Sequence, residues 1–207
     1  MGKSGPKIGL LGGTFDPPHL AHLRIAEEVR DTFSFSEIWF IPAGYPPHKE
    51  NPPSPFEARF EMLRLAISGN PYFKILDLER EMRPSYTLKT LEKLCLLYPD
   101  YHYYLIVGWD AFWDIDKWWH SERFLDYVNI IVLSRGFGDW RGAEHEVKER
   151  AIKLWGAQGK DKVFFLEIFP LEISSTKIRN LISQGKSIRY LVPEEVYFFL
   201  QKNPLYR

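Results

Sequence analysis

Apolar and polar residues alternate along the chain in segments that predict strands and helices in turn. Apolar runs typical of buried strands cover residues 8–11, 37–41, 73–76, 103–107, 128–133 and 163–168. Segments with helical spacing of apolar residues predict helices over 20–33, 54–68, 144–155, 173–185 and 193–202, and a further helix carries leucines at 88, 91, 94 and 97. This alternation predicts an α/β fold, a doubly wound parallel sheet with a small C-terminal helical part.

A proline-rich segment interrupts the pattern after the second predicted strand. Six prolines fall between residues 42 and 55, which rules out a helix or a central strand there. Ser54, Pro55 and Glu57 then predict a helix start, with Ser54 as the cap, Pro55 at the first position and Glu57 bonding back to the cap. The sequence has no internal repeat and no low-complexity tail, and we predict one domain over residues 1–207.

The first predicted strand leads into a glycine-containing segment, residues 12–22, which reads GGTFDPPHLAH. The two glycines allow a sharp turn and close approach of the backbone to a ligand. The helix that follows offers free N–H groups and the positive end of its dipole to an anion. His19 and His22, three residues apart, lie on one face of its first turn. Together these features predict a phosphate site in this segment. We call residues 12–19 the glycine turn.

Charge and cysteine content narrow the class of protein. The 207 residues carry equal numbers of basic and acidic side chains, which argues against a nucleic-acid partner. The single cysteine, Cys95, excludes a disulfide within the chain and favours a reducing compartment, so we expect a cytoplasmic protein. We find no signal peptide and no membrane-spanning run. The high aromatic content could serve a homo-oligomer interface, but the sequence does not determine the oligomeric state.

Other readings of the glycine turn have less support. It lacks the Gly-x-Gly-x-x-Gly pattern of dinucleotide sites and the Gly-Lys-Ser/Thr ending of a Walker loop. His19 and His22 could bind a metal ion, but no third ligand stands at a suitable spacing, and we predict no protein metal site. Either histidine alone could be a core residue with satisfied hydrogen bonds. Next to a glycine turn, an imidazolium that donates to a phosphate is the better interpretation.

The segment resembles the signature of the nucleotidyltransferases with paired histidines, and in particular that of the bacterial nicotinate-nucleotide adenylyltransferases. Their motif, Gly-Gly-(Ser/Thr)-Phe-Asp-Pro-x-His-x-x-His, is met from Gly12 to His22. The family usually has glycine before the second histidine, where this chain has Ala21. Because alanine is small, we expect the close packing to persist.

The resemblance continues along nearly the whole chain in the order of the family's motifs. Further matches are Pro46-Pro47-His48-Lys49, Ser85-Tyr86-Thr87, Gly108-Trp109-Asp110 with Trp118 downstream, and Ile173-Ser174-Ser175-Thr176-x-Ile178-Arg179. The resemblance implies a Rossmann-like fold and the reaction of ATP with nicotinate mononucleotide to give nicotinate adenine dinucleotide and pyrophosphate, in NAD biosynthesis.

The resemblance also implies roles for individual residues. His19, His22 and Arg179 would act on the ATP phosphates as the catalytic groups. Contacts to ATP would come from Gly12, Gly13, Thr14, Phe15, Gly108, Asp110, Ser175 and Thr176. Residues 173–207 would complete this ATP site, and Mg²⁺ would be bound mainly through the triphosphate.

Nicotinate mononucleotide would be bound on the other side of the site. Trp118 would stack on the pyridine ring, with backbone N–H groups near Thr87 and Trp119 on its carboxylate. The remaining expected contacts are His48, Lys49, Ser85, Tyr86 and Arg135. Core packing for Trp118, a solvated loop charge for Lys49 and helix capping for residues 174–176 are the structural alternatives.

Three other functions remain as alternatives. A sister adenylyltransferase would act on nicotinamide mononucleotide or phosphopantetheine. A nucleotide-binding regulator without activity would be expected to lack a histidine or Arg179, and all are present. A nucleic-acid module is disfavoured by the neutral charge.

Overall fold

A computed structural model describes residues 5–46, 53–134 and 138–206. Within them the strands are β1 (Lys7–Gly13), β2 (Glu37–Pro42), β3 (Phe73–Ile75), β4 (His102–Gly108), β5 (Val128–Leu133) and β6 (Val163–Leu166). The helices are α1 (Leu20–Phe33), α2 (Phe56–Ile67), α3 (Thr87–Leu97), α4 (Trp109–Trp113), α5 (Ala143–Trp155), α6 (Ala157–Lys162), α7 (Ser175–Ser183) and α8 (Glu194–Lys202). Two short 3₁₀ helices, Ile115–Lys117 and Ser121–Asp126, follow α4.

The six strands form one parallel sheet in the order β3-β2-β1-β4-β5-β6. The predicted doubly wound α/β fold is therefore confirmed. The chain winds outward in one direction from β1 and in the other from β4. A crevice for ligands opens where the winding direction changes, at the carboxyl ends of these two strands.

Strand residues alternate between two hydrophobic layers. One layer contains Ile8 and Leu10 of β1 and the buried leucines of α3, while the other contains Leu11 of β1 and Ala26 and Val29 of α1. Both faces of the sheet are thus covered, which explains why the central strands are apolar at nearly every position.

The C-terminal helices form a smaller apolar cluster. Ile178 of α7 and Val196 and Leu200 of α8 pack with Met62 of α2. Through α2, which also contributes Leu63 to the second sheet layer, this cluster is joined to the main core. The single-domain prediction is not tested by these contacts and stays a prediction.

Two local predictions are wrong, and one helix was not predicted. The second helix begins at Phe56 with Pro55 as its cap residue and no side-chain cap, so Ser54 does not cap it. Leu97, expected on the buried face of α3, is 51% exposed. Helix α6 was not predicted, because its sequence, AQGKDK, has no apolar periodicity. None of the described helices is long and apolar enough to cross a membrane.

Candidate active site

The glycine turn leaves the carboxyl end of β1 and is held against neighbouring elements. The backbone N–H of Ala43 donates to the carbonyl of Gly13 over 2.8 Å. Phe15 adopts a left-handed backbone (φ 52°), which is unusual for a residue with a side chain. Its ring is buried and meets the ring of His22 edge-on, with centroids 4.9 Å apart. The Phe15 side chain, expected at ATP, therefore lies in the core beneath the turn.

His19 and His22 form a stacked pair at the start of α1. Their ring centroids lie 3.7 Å apart at an interplanar angle of 22°. His19 is the cap residue of the helix, and its backbone N–H donates to Nδ1 of His22 over 3.1 Å. Since Nδ1 of His22 accepts this bond, a neutral His22 carries its proton on Nε2 and can donate it to a ligand.

Burial lowers the pKa of both imidazoles. Desolvation lowers the pKa of His19 to about 4. The pKa of His22 is held well below its usual value, first by burial and then by repulsion from His19. Both rings are therefore neutral at pH 7 in the ligand-free protein, while the predicted imidazolium donors concern the phosphate-bound state and stay a prediction. Nδ1 of His19 is buried and has no hydrogen-bond partner in the described part of the chain.

The N-terminus of α7 is bound to the glycine turn. Ser174 caps the helix by accepting from the N–H of Lys177. The hydroxyl of Ser175 donates to the carbonyl of Pro17 over 2.8 Å, and Nη1 of Arg179 donates to the carbonyl of Asp16 over 2.8 Å. Nη2 of Arg179 donates to Oγ1 of Thr176 at 3.3 Å. The fold thus brings the predicted C-terminal motif to the histidine segment.

Asp16 joins the glycine turn to two distant parts of the chain. One carboxylate oxygen accepts from the backbone N–H of Ser54, and the other accepts from the Tyr206 hydroxyl. Asp16 therefore has a structural role, and the partners of its carboxylate lie outside its own turn. Burial and the bond to Asp16 raise the pKa of Tyr206 well above its usual value, so the hydroxyl keeps its proton.

A first cavity, of about 240 Å³, opens beside the glycine turn at the carboxyl ends of β1 and β4. Its walls include Gly13, Thr14 and the entry to α3, where Thr87 is the first helical residue. The ring of Trp119 stacks on Tyr86 at 4.9 Å and forms part of the wall. Other predicted residues in its lining are Gly12, Ser85 and Trp118.

A second cavity, of about 450 Å³, lies on the other side of the same strand ends. Gly108 and Asp110, at the start of α4, line it together with Ala21 of α1. A β-carbon on Gly108 would meet no atom within 4 Å, so the space in front of its backbone is open. Gly12 and Trp118 line both cavities and stand where the two meet.

Several predicted residues do not line either cavity. His19, His22, Ser175, Thr176 and Arg179 lie instead along the glycine turn and its contact with α7. A further set lies outside the described residues: His48, Lys49 and Arg135. Their roles stay predictions.

Sequence reasoning missed two buried charged residues beside the first cavity. Arg59 of α2 is 1% exposed, and its guanidinium donates to the carbonyls of Thr14, Gly44 and Ser54. Glu79, between β3 and α3, is 8% exposed and lines the cavity. Desolvation raises the pKa of the Glu79 carboxyl. Neither residue stands in a pattern that distinguishes it from the exposed charges around it.

Known proteins share this architecture. Residues 10–181 match the family model described as cytidylyltransferase-like. A solved structure of Plasmodium falciparum nicotinic acid mononucleotide adenylyltransferase complexed with NaAD superposes with a TM-score of 0.77 at 22% identity, covering 97% of each chain. At that identity the likeness shows the fold alone.

Curated relatives are more similar in sequence. Proteins named "probable nicotinate-nucleotide adenylyltransferase" are 39% identical in Geotalea daltonii and 40% identical in Geobacter sulfurreducens. In each case the alignment covers 97% of this chain and 98% of the relative. The chain therefore belongs to the cytidylyltransferase-like family and, within it, to the nicotinate-nucleotide adenylyltransferases, which are nucleotidyltransferases.

Proposed function

We propose that this protein transfers the adenylyl group of ATP to nicotinate mononucleotide, giving nicotinate adenine dinucleotide and pyrophosphate, in NAD biosynthesis. The observation that carries the proposal is the pair of cavities that meet at Gly12 and Trp118. A transferase of this kind must hold two nucleotides with their phosphates in contact. Two adjoining cavities beside an anion-binding helix start meet that requirement.

We assign adenosine to the second cavity. It is the larger of the two, and Asp110 places a carboxylate that can accept from ribose hydroxyls at its wall. The triphosphate would extend from there along the glycine turn towards α7. Ser175, Thr176 and the N-terminal N–H groups of α7 would contact it, with Arg179 as a planar donor. In this way residues 173–207 would complete the ATP site.

We assign the pyridine ring to the first cavity. Thr87 begins α3 at its wall, so the free N–H groups of the first turn can receive the nicotinate carboxylate. Trp118 would stack on the ring from the boundary between the cavities. Trp119, Tyr86 and Ser85 support the same wall, while His48, Lys49 and Arg135 would reach the phosphate or the carboxylate.

The reaction needs placement and charge stabilisation rather than a general base. A phosphate oxygen of the mononucleotide, already ionised at neutral pH, attacks the α-phosphorus of ATP. The bond from the α-phosphorus to the bridging oxygen breaks, and pyrophosphate leaves with those electrons. His19 and His22 would donate hydrogen bonds to the phosphates, whose negative charge raises the pKa of the imidazoles on binding.

We propose that Mg²⁺ enters with the triphosphate and keeps water ligands. Among the described residues, no group of three or more His, Cys, Asp or Glu side chains could hold a metal ion. Asp16 is the acidic residue within the glycine turn, and its carboxylate is bonded to Ser54 and Tyr206. Phosphate oxygens and water are the ligands that Mg²⁺ prefers in such sites. The single cysteine supports a reducing compartment, and we propose the cytoplasm.

Pyrophosphate release in the presence of ATP and Mg²⁺ tests this function. The acceptors are nicotinate mononucleotide, nicotinamide mononucleotide and phosphopantetheine, with a reaction lacking any acceptor as the control. We expect the highest kcat/KM with nicotinate mononucleotide and the dinucleotide as its product. A higher kcat/KM with either other acceptor would contradict the proposed specificity, and no release with any of them would contradict the proposed activity.

A further inference from the structure

A short segment, residues 43–46, joins the glycine turn to the first cavity; we call it the bridging segment. At one end, the N–H of Ala43 donates to the carbonyl of Gly13 in the glycine turn. At the other end, the N–H of Tyr45 donates to Oγ of Ser85, and the carbonyl of Tyr45 accepts from the N–H of Ser85. Because Ser85 stands just before α3, the segment connects both nucleotide sites.

Two buried charges hold the middle of the bridging segment. Nη2 of Arg59 donates to the carbonyl of Gly44 at 3.2 Å, while the N–H of Gly44 faces the Glu79 carboxylate and favours its charged form. A β-carbon at Gly44 would lie 1.8 Å from the carbonyl oxygen of Glu79, so only glycine fits between them. Gly44 is therefore held at its carbonyl by Arg59 and packed closely against the backbone of Glu79.

Each of the two charged side chains also forms a hydrogen bond with a residue of one substrate site. Nη1 of Arg59 donates to the carbonyl of Thr14 over 2.8 Å, which fixes the glycine turn. The Glu79 carboxylate accepts from Oγ1 of Thr90 over 2.6 Å, which fixes the first turn of α3. Burying an ion is costly unless it is fully bonded, and here each ion bonds to one residue that lines the first cavity, Thr14 for Arg59 and Thr90 for Glu79.

We propose that Arg59 and Glu79 are positioning residues that clamp Gly44 and so set the distance between the ATP phosphates and the acceptor nucleotide. The inference rests on the proposed function, because the distance matters only if the two cavities hold the two reactants. In such reactions a displacement of about 1 Å can lower the rate by about 100-fold. Neither residue contacts the reacting atoms in this arrangement; both act through the backbone of the bridging segment.

Glu79→Gln is the first test, with Glu81→Gln, an exposed neighbour, as the matched control. Glutamine replaces one acceptor oxygen by an amide donor and removes the charge, so the contacts of the carboxylate with Thr90 and Gly44 are weakened. We expect the KM for nicotinate mononucleotide to rise about tenfold while the KM for ATP stays within about twofold. A loss of stability alone would not change one KM without the other. An equal change in the two KM values, or no change in either, would overturn the role of Glu79.

Arg59→Lys tests the other half of the clamp. A lysine keeps the charge but cannot reach three carbonyls with a planar fork, so we expect kcat to fall about 10- to 100-fold. In the double variant with Glu79→Gln, the fold-loss in kcat/KM should be smaller than the product of the two single fold-losses, because both residues act on Gly44. Independent, multiplicative effects would overturn the clamp.

Hydrogen exchange at the Gly44 amide tests the clamp without any substrate. We expect faster exchange in Glu79→Gln than in the wild-type protein and no change in Glu81→Gln. Equal protection in all three proteins would overturn the clamp, whatever the acceptor of the reaction proves to be. If the wild-type protein releases no pyrophosphate but the exchange differs as expected, the proposed function fails and the clamp stands.

Discussion

Acid should destabilise the ligand-free protein through the buried histidine pair. The pKa of His19 lies at about 4 in the folded protein, against 6.5 for an ordinary histidine. The neutral imidazole that the fold requires is available to both folded and unfolded chains above pH 6.5, where the free energy of unfolding is highest. As the pH falls towards 4, protonation of the unfolded chain lowers that free energy. Between pH 8 and pH 5 the unfolded chain takes up a proton that the folded His19 does not, which removes about 2 kcal/mol from the free energy of unfolding.

Burial of His22 acts in the same direction, since its pKa is also lowered. For a protein of this size, about 2 kcal/mol corresponds to a fall in Tm of about 4 to 8 °C. Urea unfolding followed by circular dichroism at pH 8 and pH 5, without nucleotide, measures the loss directly.

The matched pair of variants is His19→Asn and His145→Asn. The side chain of His145 is 77% exposed, so His145→Asn removes an imidazole at the surface and serves as the control. His19→Asn should reduce that dependence by about 2 kcal/mol. If His19→Asn and wild type lose equal stability between pH 8 and pH 5, then burial does not depress the pKa of His19 and the reasoning is refuted.

Three further changes test the site. His19→Ala should keep the fold and lower kcat about 100-fold or more, the scale of losing one donor to the transition state, as measured by pyrophosphate release. Trp118→Ala should raise the KM for nicotinate mononucleotide far more than the KM for ATP, because stacking on the pyridine ring is lost. Gly44→Ala should lower the free energy of unfolding by about 1 to 3 kcal/mol, because its new methyl group overlaps the backbone of Glu79, and thermal unfolding measures this loss.

Each change has a control and a contradicting outcome. Near-normal turnover by a folded His19→Ala protein would remove His19 from the catalytic groups. Equal effects of Trp118→Ala on both KM values would remove the stacking role. Gly69→Ala is the control for Gly44→Ala, since a β-carbon at Gly69 meets no atom within 4 Å. If both alanine variants unfold at the same temperature, the close approach at Gly44 is wrong.

Much of the fold could be predicted because the spacing of apolar residues follows directly from which side chains are buried. Helix α1 was predicted over Leu20–Phe33 and strand β5 over Val128–Leu133, the bounds that the structure has. The prediction that Ser54 caps a helix was wrong because the backbone of Ser54 has other partners. Its N–H donates to Asp16, and its carbonyl accepts from Arg59. Tertiary bonds thus replaced a local motif that the sequence alone favoured.

The electrostatic state of the site could not be predicted. His19 and His22 were identified from their spacing, and a charged imidazole was the natural partner for phosphate. Their desolvation depends on how closely the rings and Phe15 pack, which the spacing does not record. Arg59 and Glu79 were missed for a similar reason, since charged residues on a helix or a turn are usually exposed.

The sequence by itself determined the order of strands and helices, the glycine turn with its two histidines, and the motifs that mark the family. These are local patterns, and the residues that form them are near one another in the chain. Only the tertiary structure decided which distant groups meet: α7 against Pro17, Tyr206 against Asp16, and Arg59 and Glu79 on Gly44. Burial and long-range hydrogen bonding depend on the packing of the whole chain, and they set the charge of the histidines and the shape of both cavities.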